Sequence, residues 1–170
     1  MQSGILDLHT QLAFYKSYHS DTVNVLIHSI FVPSILFSSM LILNHVPLAS
    51  GFTLSHALVA VFSLYYIALH RIVGSLAFAI LALAQYSIDA SVVTPSLKTS
   101  WAIFCTGWIF QFIGHGVFER RRPALIDNLV QSLVAAPFFI LFESLFLLGF
   151  FPQLNEELEK EARRLKGKKQ

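Results

Sequence analysis

The chain has 170 residues, one domain's worth, with 55% hydrophobic residues, 13% charged ones and a mean hydropathy of +0.62. Soluble chains carry about 25% charged residues, so a soluble globular domain, a disordered chain and a secreted disulfide scaffold are all excluded. Twelve Lys and Arg against ten Asp and Glu leave a net charge of +2, too little to argue for nucleic acid as a partner. The composition is that of a membrane protein whose partner is the lipid bilayer.

Residues 4–19 place Ile5, Leu8, Leu12 and Tyr15 at helical steps, with Asp7, Gln11 and Lys16 between them. That pattern predicts an amphipathic helix lying in the membrane interface. The first twenty residues lack the basic start and short apolar core of a signal peptide, so the first span is expected to be an uncleaved anchor. Ser20 or Asp21 can cap a new helix beginning near Thr22.

No Asp, Glu, Lys or Arg occurs between Asp21 and Arg71, and further uncharged runs separate Arg71 from Asp89 and Lys98 from Glu119. With roughly 20 apolar residues per span, spans are expected at about 24–43, 52–69, 72–88 and 101–118. Pro33 should kink the first. Turns are expected at residues 44–51, at His70 with Arg71, and around Pro95. Cys105, the single cysteine, reads as a small core residue within the fourth span, and Gly107, Gly114 and Gly116 as points of close helix packing.

Residues 129–150 form a fifth apolar segment, interrupted at Ala135, Ala136 and Pro137 and carrying Glu143. The fold class expected is all-α, a polytopic membrane helix bundle. It has four spans, a broken re-entrant or fifth helical segment, and an N-terminal interfacial helix. A membrane-embedded domain over 1–152 is followed by a charged tail over 153–170. If the fifth segment returns to its starting side, every Lys and Arg except Lys98 lies on one face. The positive-inside rule then favours a re-entrant element with both termini cytosolic.

That topology brings His19, His28 and His115 to a similar depth on the cytosolic side. Histidines in hydrocarbon are costly unless paired or liganded, and neutral imidazole is a common ligand for iron, zinc and copper. His19 and His28 are nine residues apart and would point in opposite directions on one straight helix. They converge only if the chain bends between them, for which Ser20 and Asp21 are suited. His115 and Glu119 stand four apart on one helix face, so a site of two His and one carboxylate, or of three His, is feasible. Arg120, Arg121 and Arg122 serve either as a positive-inside anchor or as a clamp for a substrate carboxylate. His45, His56 and His70 read as ordinary hydrogen-bonded helix contacts. Residues 166–170 resemble a dibasic retrieval signal of the endoplasmic reticulum.

The stretches LDLHTQLAFYKSYHSDTVNVLIHSIFVPSILF and GWIFQFIGHGVFERRRPALIDNLVQSL strongly resemble the fungal protein family named for metabolism of phytosphingosine. The resemblance covers nearly the whole chain and is densest at 5–37 and 107–151. It implies an iron(II)-dependent dioxygenase of the endoplasmic reticulum membrane, which uses O2 to shorten 2-hydroxy long-chain fatty acids by one carbon. On this reading His19, His28 and His115 are the metal ligands. Glu119 is a catalytic carboxylate that either ligates the iron or orients a ligand histidine, and one of Arg120, Arg121 and Arg122 balances the substrate's carboxylate. Ser20 stands where the yeast-type sequence has a second histidine after the first motif histidine, so that further histidine is not expected to be an essential ligand. The rival readings are a zinc-dependent lipid hydrolase, since zinc also accepts three His, and a membrane scaffold or lipid-binding protein whose histidines only pack.

Overall fold

A computed structural model of the chain describes residues 5–120 and 129–167. They form seven α-helices: α1 Leu8–Tyr18, α2 Thr22–Leu43, α3 Leu54–Leu69, α4 Arg71–Asp89, α5 Leu97–Ile113, α6 Leu129–Leu147 and α7 Pro152–Gly167. A π-helical turn, Gly114–Glu119, continues α5 without a break. The only strands among the described residues are Pro47–Ala49 (β1) and Phe52–Thr53 (β2), a small antiparallel hairpin turning through Gly51 at φ 77°.

The helices form because long uncharged runs hold few breakers, and each boundary has a local cause. The Asp21 carboxylate accepts the backbone N–H of Val23 and of Asn24, capping α2. Thr53 and His56 close a capping box on α3, and the His70 ring accepts the Val73 N–H at the start of α4. Helix α2 and the stretches Arg71–Asp89 and Leu97–Glu119 are long and apolar enough to cross a membrane, and most of each faces outward. Ile72, Leu83 and Ile109 are well exposed, as a lipid-facing surface requires. The chain is thus an all-helical membrane protein.

Two compact units divide it: Met1–Ser29 with Gln111–Gln170, and Ile30–Phe110. In the second, α3 and α4 form a tight hairpin, and a Cβ on Gly74 would collide with the Tyr66 carbonyl. A polar network joins the two helices at the end near β1 and β2: Ser55 donates to Gln85, Gln85 to Asp89 and Asn44, and His56 meets Asp89 at 3.1 Å. His56 and His70 are therefore hydrogen-bonded helix contacts. Helix α3 has 16 residues, about 24 Å at 1.5 Å per residue, short of a roughly 30 Å hydrocarbon core.

In the first unit, α1 packs on α6 and α7. Expected to show one polar face, α1 is enclosed on both sides, for Gln11 and Ser17 are as buried as Leu12 and Ala13. Its partners are contributed by the other end of the chain. Helix α7 buries Leu158 and Ala162 despite its charged composition. Helix α6 runs through Pro137 without interruption, so the break expected at 135–137 is absent. Its Glu143 is neutralised by Lys16 of α1 at 3.1 Å, which removes the cost of a lone carboxylate in an apolar helix. Two smaller expectations also fail. Cys105 is exposed on α5 instead of lying in the core, and a Cβ on Gly116 would meet nothing, whereas Gly107 packs on Ile35 and Gly114 on Asn24.

Candidate metal centre

The bend that the sequence requires lies between α1 and α2. Helix α1 ends at Tyr18 and α2 begins at Thr22, so residues 19–21 form an elbow that turns His19 towards His28. The π-helical turn supplies the third imidazole, His115. Such turns are rare and often mark functional sites. Gly114 beside it admits the close approach of α2: a Cβ there would collide with Asn24 Oδ1 and come within 3.6 Å of the His28 ring.

His19, His28 and His115 each offer a ring nitrogen within 4.8 Å of the others, and their ring centroids lie 4.4, 4.9 and 4.8 Å apart. His28 and His115 are buried and His19 is half-buried. Two of the three tautomers are fixed by the backbone. His19 Nδ1 lies 2.9 Å from the Tyr15 carbonyl and His28 Nδ1 lies 2.9 Å from the Asn24 carbonyl. A carbonyl only accepts, so each Nδ1 carries the proton and each Nε2 lone pair is free for another partner. Burial, and then the neighbouring imidazoles, hold His19 well below its ordinary pKa, which keeps the ring neutral.

This donor set fits a divalent transition metal. His19 Nε2 and His115 Nδ1 are buried and have no hydrogen-bond partner, a state that costs about 1–3 kcal/mol per group unless a ligand relieves it. Metal–nitrogen bonds of about 2.0–2.1 Å need the nitrogens roughly 3.0–3.4 Å apart, so small ring movements complete the set. Three imidazoles leave positions open for substrate, as a catalytic site requires.

Glu119 lies outside this nitrogen cluster. Its carboxylate accepts the Ser20 hydroxyl at 2.5 Å, the Ser20 and Asp21 N–H groups at 3.0 and 2.9 Å, and the Asn24 amide at 3.2 Å. Arg120 follows the π-turn in the left-handed region at φ 52°, its N–H bonded to the His115 carbonyl. Arg121 and Arg122 lie outside the described residues. A cavity of about 330 Å3 opens beside His19, and the cations on its wall are Lys16 and Arg163. Besides Asn155 Oδ1 in α7, three further buried polar atoms among the described residues of this unit have no partner: the Tyr15 hydroxyl, Asn24 Oδ1 and Gln111 Nε2. The Tyr15 ring stacks on His19 at 3.9 Å, and Gln111 stands one turn before His115. Sequence reasoning passed over Tyr15 and Asn24 as site residues, although each stands four residues before a site histidine.

A membrane helix bundle with a cluster of three histidines that could hold a metal ion is the class of protein that the fold and the site define. Residues 5–148 match the family described as 2-hydroxy-palmitic acid dioxygenase Mpo1-like. The chain is also 52% identical over 159 residues to 2-hydroxy-palmitic acid dioxygenase MPO1 of Saccharomyces cerevisiae, covering 94% of this chain and 91% of that one. The chain belongs to the Mpo1-like family. No solved structure matches it.

Proposed function

We propose that this protein is an iron(II)-dependent dioxygenase that shortens 2-hydroxy long-chain fatty acids by one carbon, with His19, His28 and His115 as the metal ligands. The observation that carries this reading is the trio itself: a ring nitrogen each from the elbow, from α2 and from the π-helical turn, with two tautomers set by backbone carbonyls, in a chain of this family. Iron(II) held there would bind and activate O2 and anchor the substrate's carboxylate and 2-hydroxyl. The Tyr15 hydroxyl and Gln111 amide, buried and unpartnered, are donors suited to orienting that head group. One of Arg120, Arg121 and Arg122, which follow the π-turn in sequence, balances its charge. With the lost carbon leaving as carbon dioxide, R–CH(OH)–COOH + O2 gives R–COOH + CO2 + H2O and needs no outside reductant. The compartment in this reading is the endoplasmic reticulum membrane, with both termini cytosolic.

The test is oxygen uptake by detergent-purified protein loaded with iron(II) and given 2-hydroxypalmitic acid. Consumption of O2 matched by pentadecanoic acid is expected, with no turnover of palmitic acid. Ester or amide hydrolysis by the zinc-loaded protein, without oxygen uptake, would replace this reading with the hydrolase.

A further inference from the structure

We propose that Glu119 is a positioning residue. Its carboxylate clips the elbow between α1 and α2 shut and so sets His19 and His28 at one centre, without itself binding the metal. The inference rests on the reading of the three imidazoles as metal ligands and assigns a separate job to the carboxylate beside them.

Nine residues separate His19 from His28, and a continuous helix would aim them apart. The elbow that prevents this sets Ser20 and Asp21 between the two helices. Glu119 Oε2 accepts their N–H groups, at 3.0 and 2.9 Å, and also the Asn24 amide at 3.2 Å, while Oε1 takes the Ser20 hydroxyl at 2.5 Å. Three of these donors converge on Oε2 and one on Oε1, so the carboxylate is engaged with the elbow and Asn24, and it lies outside the group of ligand atoms that the three imidazoles form. The charge also sits at the N-terminus of α2, where the helix dipole favours an anion.

Asn24 carries the effect onward. Its side chain is held by Glu119, and its backbone carbonyl accepts the His28 Nδ1–H. Asn24 is fully buried and packs against Gly114, the residue before His115. Glu119 itself closes the π-turn that bears His115. One carboxylate therefore ties together the three backbone segments that present the ligands.

Cobalt(II) titration of the detergent-purified full-length apoprotein tests this, since cobalt reports affinity and ligand geometry in one absorption spectrum. Glu119→Ala should weaken cobalt binding by about 10–100-fold, the usual cost of losing a group that orients a ligand. Glu119→Gln, which keeps one acceptor oxygen, should fall between. At saturation both should show the wild-type cobalt spectrum, because the three imidazoles remain. Ser20→Ala, which removes one hydrogen bond and leaves the backbone contacts, should weaken binding a few-fold, and it serves as the readout if Glu119→Ala does not fold. A changed spectrum at saturation would make Glu119 a ligand and overturn the proposal, as would wild-type affinity in all three variants. A wild type that binds no cobalt would instead overturn the metal-centre reading on which the proposal stands.

Discussion

Gly114 and Gly116 flank His115 and look alike in sequence, yet the structure asks different things of them. A Cβ at 114 would collide with Asn24 Oδ1, and a Cβ at 116 would meet nothing. Gly114→Ala should therefore push Asn24 away from Glu119 and His28, costing about 1–3 kcal/mol as overpacking does and weakening metal uptake. Gly116→Ala should leave metal uptake unchanged and raise the melting temperature slightly, since alanine favours a helix over glycine by up to about 1 kcal/mol. Thermal melts and metal titration of the two variants check the pair; equal effects would contradict the packing described. At this scale the sequence revealed the histidines but not their surroundings. Seven histidines could be sorted by membrane depth, whereas the contact of Glu119 with residues 20–24 joins positions about a hundred apart and leaves no local pattern. The orphaned atoms on Tyr15, Asn24 and Gln111 were hidden for the same reason.

Helix boundaries were legible, because charge gaps and turn residues are local signals. Thr22, Leu43, Leu69 and Asp89 fall within a residue or two of the expected ends. Burial was less legible. Helix α1 reads as a surface helix only while α6 and α7, its partners from the far end of the chain, are out of view. The tail likewise reads in sequence as no more than a charged segment, yet Leu158 is fully buried and α7 packs along α1. Leu158→Ala should cost about 2–5 kcal/mol, the range for a buried leucine. Because α1 ends at Tyr18, immediately before His19, the same variant should lower metal affinity. A melting temperature and metal affinity equal to wild type would show that the tail is dispensable. Pro137 misled in the opposite sense. It removes one backbone donor, but α6 continues through it, as helices in apolar surroundings do when neighbours compensate.

For the whole molecule, the sequence already carried the class. Low charge, long apolar runs and clustered cations define a membrane helix bundle, and three helices of spanning length agree with it. The sequence did not reveal that its two ends share one compact unit, with residues 30–110 forming the other. That arrangement gives the metal-centre reading its physical basis, since His19 enters from the elbow after α1, His28 from α2 and His115 from the π-helical turn. The central claim is that this unit holds a metal through three imidazoles. Elemental analysis of protein purified anaerobically in detergent, for wild type and His115→Ala, tests it most directly. About one iron per chain is predicted for the wild type, as a single three-imidazole site requires, and none in the variant, with activity lost alongside it. Iron retained by His115→Ala, or a wild type that stays metal-free and inactive after iron(II) is added back, would contradict the account.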